Sequence, residues 1–238
     1  MNHSASHSTR SKVLLAESEV DLRNLMQDKL ERAGFQVVPA STGLQALKRA
    51  ATEQPDVVVL DLQMAVMGGL EVCRQLRRDQ GSRLLSIVML TPQGQEQGRV
   101  QALNAGADVY LEKPLSLRIL TSQIRALLRS VRRSTELPEV VRVGDLEIDC
   151  IQYTVYRVTE GRKVPLYFSR QEFVLLHFMA AQPEMVFSRE MLLSCLWNTE
   201  GEIMERTVDV HVWKIRAKLG SAYIETVKGV GYRFRKPG

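Results

Sequence analysis

From Lys12 to Arg129, short apolar runs alternate with segments of helical period. Lys12-Val13-Leu14-Leu15-Ala16 predicts a strand ending on Glu17. Ser18 with Asp21 three residues on predicts a capped helix start, and Leu22, Leu25, Met26 and Leu30 form its stripe before Gly34 stops it. Phe35-Gln36-Val37-Val38 predicts a second strand, followed by a helix burying Leu44, Leu47 and Ala51. Pro55-Asp56-Val57-Val58-Val59-Leu60-Asp61 carries four unbroken apolar residues, as a strand covered on both faces requires, and ends on a carboxylate. Leu70, Cys73, Leu76 and Arg77 mark the next helix, Leu84 to Leu90 a fourth strand ending on Thr91, and Val100, Leu103 and Ala107 another helix. Val109-Tyr110-Leu111 is a short strand ending near Lys113-Pro114, and Leu117 to Arg129 a last amphipathic helix. This alternation predicts an α/β fold with a parallel, doubly wound sheet.

Past Pro138 the period changes. Val141 to Ile148 and Tyr153 to Val158 alternate, with Glu160-Gly161 as a turn, and predict an antiparallel sheet. Ser169-Arg170-Gln171-Glu172 is a capping box opening a helix that runs to Pro183, and Ser188 opens another that holds Met191, Leu192, Cys195 and Leu196. Arg206 to Leu219 is a third helix, closed by Gly220. Its core stripe is Val208, Val212, Ile215 and Leu219, and its opposite face carries Arg206, Val210, Trp213, Lys214 and Ala217. Two strands, Tyr223–Val227 and Gly231–Arg235, join around Lys228-Gly229-Val230. The chain therefore divides into a polar tail (1–11), a first domain (12–130), a linker (131–139) and a second domain (140–238).

Charge sharpens this division. The net +5 hides a basic C-terminal stretch, with eight Lys/Arg against three Asp/Glu from Ile203 to Gly238, and an acidic one before it. A face of small apolar and cationic residues on the 206–219 helix suits a DNA major groove, where Val and Ala meet thymine methyls and Arg and Lys meet guanine or phosphate. His211, Arg216 and Lys218 flank that face, and the basic hairpin tip suits an adjacent minor groove. Cys73, Cys150 and Cys195 are far apart among apolar neighbours, as free thiols in a reducing cytoplasm would be. No run is long and apolar enough for a membrane helix.

In the first domain Glu17, Asp61, Thr91 and Lys113 end strands at one edge, the edge where open α/β sheets do their chemistry. Asp61 is placed to attack phosphorus. Thr91 can hydrogen-bond a phosphoryl oxygen, Lys113 can neutralise another, and nearby carboxylates suit Mg²⁺. Tyr110, three residues before Lys113, is placed to swing as Thr91 moves.

Asp61, Met67–Gly69, Met89-Leu90-Thr91, Ala105-Gly106-Ala107-Asp108 and Tyr110 to Pro114 resemble the receiver domain of two-component response regulators, a flavodoxin-like (βα)5 fold. Arg206-Thr207-Val208-Asp209-Val210-His211-Val212 and Thr226-Val227-Lys228-Gly229-Val230-Gly231-Tyr232-Arg233-Phe234 resemble the α+β winged-helix effector domain of OmpR/PhoB-type regulators. The resemblance implies a transcription regulator, not an enzyme. Its partners would be double-stranded promoter DNA, read as direct repeats, a histidine kinase phosphorylating Asp61, and RNA polymerase, faced by the loop holding Glu202, Met204 and Glu205. It also implies DNA contacts from Arg206, Val210, His211, Trp213, Lys214, Arg216, Thr226, Lys228 and Tyr232. Homodimerisation would use the fourth helix, fifth strand and fifth helix, with Arg99, Asp108, Ile119 and Gln123 on that face.

Several positions depart from the family pattern. Ser18 stands where a second acid usually touches Mg²⁺, so that an ion held by Glu17, Asp61 and Gln63 is expected to be weak or absent. Ala65 replaces the usual proline, Trp213 a usual arginine, and Ile119 and Gln123 stand where dimer ion pairs draw a Glu and an Arg, leaving Arg99 without its usual partner. Two readings stand open: a degenerate receiver that works without phosphate, and a conventional one phosphorylated on Asp61. An aspartyl-phosphate phosphohydrolase would place an Asp where Gln63 stands, and a protein-interaction adaptor would not need the basic 206–219 face.

Overall fold

The computed structural model describes residues 10–236 apart from 80, 83, 95, 134–137 and 198–205. In the N-terminal module, strands β1 (Lys12–Ala16), β2 (Gln36–Ala40), β3 (Val57–Asp61), β4 (Ser86–Pro92) and β5 (Val109–Lys113) alternate with helices α1 (Val20–Arg32), α2 (Gly43–Glu53), α3 (Gly69–Arg78), α4 (Glu96–Ala105) and α5 (Leu117–Arg133). The sheet is parallel throughout, in the order β2-β1-β3-β4-β5. Every residue of β3 is buried, as its unbroken valines require. This is the expected flavodoxin-like (βα)5 arrangement.

The helix faces differ from the sequence reading in an instructive way. On α2 the buried residues are Gly43, Ala46 and Ala50, whereas Leu44 and Ala51 are exposed. The predicted stripe is one residue out of phase because α2 packs through small residues: a Cβ on Gly43 would stand 2.3 Å from the Met67 carbonyl oxygen. Leu25 on α1 and Val100 on α4 are likewise exposed. The last helix extends to Arg133, so residues 131–133 of the expected linker are helical, while 134–137 lie outside the described residues.

The C-terminal module begins with β6 (Val140–Val143), β7 (Leu146–Asp149), β8 (Thr154–Thr159) and β9 (Arg162–Leu166), an antiparallel sheet in sequence order. Then follow α6 (Arg170–Ala180), β10 (Val186–Ser188), α7 (Arg189–Leu196), α8 (Arg206–Leu219), β11 (Ile224–Val227) and β12 (Gly231–Phe234). The β11–β12 hairpin pairs with β10 to form the wing. The capping box forms at Ser169 and Glu172, Ser188 caps α7, and the α8 stripe Val208, Val212, Ile215 and Leu219 is buried as predicted. Leu120, Ile124 and Leu127 of α5 belong to the same apolar cluster as Leu192, Leu193 and Leu196 of α7, so that one core runs from the first module into the second.

Candidate functional site

The ends of β1, β3 and β5 bring Glu17, Asp61 and Lys113 together. Lys113 Nζ lies 2.6 Å from Glu17 Oε2 and 3.0 Å from Asp61 Oδ2, and both carboxylates are buried. Burial raises the Asp61 pKa against the lowering effect of hydrogen bonds from Lys113 and the Gln63 amide. Burial would by itself lower the Lys113 pKa, but Glu17 and Asp61 hold the ammonium above its ordinary value. Glycine at position 69 lets α3 start against the strand end, since a Cβ there would stand 2.2 Å from the Asp61 carbonyl oxygen. Thr91 is buried, with its hydroxyl donating to the Leu111 carbonyl (3.4 Å), and Tyr110 is turned inward beneath the Arg99 guanidinium, 5.8 Å from its ring centre. In the loop after β3, Val66 holds a left-handed conformation (φ 69°) with its side chain 93% exposed.

Ser18 does not cap α1. Glu19 holds that position without a side-chain bond, and the Ser18 hydroxyl donates instead to the Gln63 carbonyl at 3.5 Å. Glu17 Oε1 accepts from the Glu19 amide and Asp61 Oδ1 from the Gln63 amide, each at 3.1 Å. The oxygens of Glu17, Asp61 and Gln63 that Mg²⁺ would need therefore all have protein partners, and the Lys113 ammonium lies against both acids. As arranged, this donor set does not fit an ion that demands near-octahedral oxygen ligation. No group of three or more His, Cys, Asp or Glu suited to a metal occurs among the described residues.

The second candidate region, the outer face of α8, meets solvent only in part. Trp213 and Ala217 are exposed, whereas Val210, His211 and Lys214 lie against the N-terminal module. Val210 packs on the α3–α4 side of that module's core, and the Lys214 ammonium donates to the Leu103 carbonyl at the end of α4. His211 is buried, its Nε2 3.2 Å from the Asp108 carbonyl oxygen, which also accepts from Trp197 Nε1 at 3.3 Å. Burial lowers the pKa of both Lys214 and His211. Trp213 remains exposed, as does Lys228 at the hairpin tip.

The remaining predicted contacts are held within the second module. Arg216 donates to the Ile224 carbonyl (3.0 and 2.8 Å) and to Thr226 Oγ1 (2.7 Å), tying α8 to the wing. Tyr232 is buried and donates to Asp209 at 2.6 Å, with Arg189 over its ring, so it is a packing residue here and no open DNA contact. Arg206 starts α8, but its side chain lies outside the described residues, as do Glu202, Met204 and Glu205.

Two residues expected on a dimer face are interior. Asp108 is fully buried, its carboxylate accepting from Arg77 Nη2 (2.7 Å) and the Ile87 amide (2.8 Å). Gln123 is also buried. A charged strand-edge residue needs a partner once covered, and Arg77 on α3 supplies it. Arg99 is not without a partner, since it forms an ion pair with Glu112 of the same chain. Together with half-buried Ile119 it lines a groove of about 510 Å³ that also includes Tyr110 and Pro114. Sequence reasoning missed Trp197. The available signal was a tryptophan ending an apolar helix, whose indole N–H must find an acceptor when covered.

Comparison with known proteins agrees with both modules. Residues 13–125 match the response regulator receiver domain, and residues 162–234 match the transcriptional regulatory protein C-terminal family. The alkaline phosphatase synthesis transcriptional regulatory protein PhoP of Bacillus subtilis is 35% identical, covering 95% of this chain and 97% of its own length. The phosphate regulon transcriptional regulatory protein PhoB of Escherichia coli is 36% identical over 94% and 97%. Among solved structures, a mutant of RitR matches with a TM-score of 0.76 at 26% identity, over 95% of this chain and 100% of that one. The response regulator DrrB of Thermotoga maritima matches with 0.50 at 28%, over 95% and 99%. The (βα)5 sheet with its acid–lysine pocket, the winged helix after it and full-length relatives that regulate transcription together make this chain a member of the OmpR/PhoB family of two-component response regulators.

Proposed function

We propose that this regulator reads double-stranded promoter DNA with α8 and the wing, and that the receiver module withholds α8 by docking on its outer face. The carrying observation is that Val210, His211 and Lys214, the residues suited to a major groove, lie against α4 and the start of β5. Two of those contacts end on main-chain carbonyls, which bind a donor without demanding a matching charge and so suit a reversible hold. The match of the RitR mutant over nearly the whole chain, with a TM-score of 0.76, supports such an arrangement. Once released, the cationic face would bind direct repeats as a head-to-tail pair of copies joined through the α4–β5–α5 groove. RNA polymerase contact would fall to Glu202, Met204 and Glu205, and the working compartment is the cytoplasm.

Control without phosphate is the reading the pocket favours. Ser18 brings no charge to the metal position, and Lys113 already neutralises the acids. A conventional kinase-driven reading keeps one observation in its favour, since Asp61, Thr91 and Lys113 do share one edge. Incubation with acetyl phosphate and Mg²⁺ followed by intact-mass measurement separates the two: the expected result is no adduct, and a stable phosphoryl adduct lost in Asp61→Ala would sink the phosphate-free reading. DNA reading is tested by titrating genomic fragments at several salt concentrations. Lys228→Ala should lower the slope of log affinity against log salt by about one. A slope unchanged by that substitution would remove the wing tip from the interface.

A further inference from the structure

The docked face of α8 contains a titratable ring whose surroundings tolerate one protonation state. His211 Nε2 faces a carbonyl oxygen, so it must carry the proton in the neutral ring to donate to Asp108. That leaves Nδ1 as the bare nitrogen, and it is buried with no hydrogen-bond partner among the described residues. The indole of Trp197 covers the ring, with centroids 5.5 Å apart. A second proton would therefore place a charged donor where no acceptor waits.

Charges from every packed element bear on the ring. Asp108 before β5 and Glu172 on α6 favour its protonation and Lys214 on α8 opposes it, while Arg77 and Cys73 of α3 act on Lys214 with opposite signs. Glu172 is engaged by Lys218 and the Ser169 amide, and Asp108 Oδ2 by Arg77 and the Ile87 amide, while Asp108 Oδ1 is buried without a hydrogen-bond partner among the described residues. Cys73 stays a neutral thiol, its pKa pushed up to about 11 by burial. Separation of the modules would take away Asp108 and admit water to His211.

We propose that proton uptake by His211 releases α8 from the receiver module, making the docked arrangement sensitive to mildly acidic pH. This rests on the docking described above as the withheld state. The sign follows from linkage: the docked form binds the proton more weakly than the released form. Docking is therefore fully present above the free ring's pKa of ~6.5 and weakens about tenfold per pH unit as pH falls below it, until the docked ring itself titrates.

The two tryptophans provide the test in the full-length chain. The Trp197 indole N–H is buried and bonded across the junction, whereas Trp213 is 62% exposed and reports solvent exchange at each pH. NMR hydrogen exchange of Trp197 relative to Trp213 at pH 7.5 and 5.5 should show about a tenfold loss of protection in the wild type and none in His211→Gln. Constant protection in the wild type, or an equal loss in the variant, overturns the switch. Unprotected Trp197 already at pH 7.5 would show that the docking itself fails, a different signature that sinks both readings. Should His211→Gln not fold, the wild-type imidazole signal decides: a His211 ring titrating at about 6.5, the ordinary imidazole value, overturns the proposal.

Discussion

The acidic pocket and the outer face of α8 both carry charge, yet they satisfy it in opposite ways. In the pocket one module supplies everything: Lys113 sits on Glu17 and Asp61 within 3.0 Å, side chain against side chain. On α8 the donors are side chains of one module and the acceptors are main-chain carbonyls of the other, at Leu103 and Asp108. The first arrangement cannot part without leaving unpaired charge in a buried place. The second can part at modest cost, because Lys214 and His211 find water and each carbonyl does too. The difference teaches where this molecule is built to move.

Three substitutions would break or sharpen that contrast. Lys113→Ala should have the largest effect, a loss of about 3 kcal/mol at neutral pH by chemical denaturation, since two buried carboxylates lose their counter-charge. That loss should shrink as pH falls, because Asp61, whose pKa burial raises, takes up a proton and no longer needs the ammonium. A loss below half a kcal/mol would show the pocket to be wetter than described. Trp197→Phe removes one donor from the junction and should weaken docking by ~1 kcal/mol, about fivefold, without touching the pocket. Faster hydrogen exchange of the α8 amides would register it, and unchanged exchange would mean that the indole bond contributes nothing. A comparable effect of opposite sign is expected for Val66→Gly, about 1 kcal/mol of added stability from relief of a left-handed β-branched residue. A lower melting temperature in that variant would contradict strain at this position.

Much of this was legible in the sequence because residue type alone carries it. Unbroken valines specify β3, the Ser169–Glu172 box specifies the start of α6, and the strand-end acids and Lys113 specify the pocket. What escaped was anything that depends on shape or on the main chain. The α2 face was misread because Leu44 looks like core while Gly43, Ala46 and Ala50 make the close approach. Ser18 looked like a cap because the cap pattern is local, whereas its hydroxyl found the Gln63 carbonyl far away in the chain. Asp108 and Gln123 looked like surface positions because burial of a polar side chain leaves no mark in the local pattern, and the partner of Asp108, Arg77, lies on another element. The docking of α8 was invisible for the same reason, its acceptors being carbonyls that every residue possesses.

The apolar continuity between α5 and α7 adds a thermal dimension to control. Parting Leu120, Ile124 and Leu127 from Leu192, Leu193 and Leu196 hydrates hydrocarbon, and such a step carries a positive heat-capacity change. A seam of this kind loosens on cooling as well as on strong heating. The chain's grip on its own reading helix should thus be firmest at intermediate temperature, and a cold environment would bias it toward the released form.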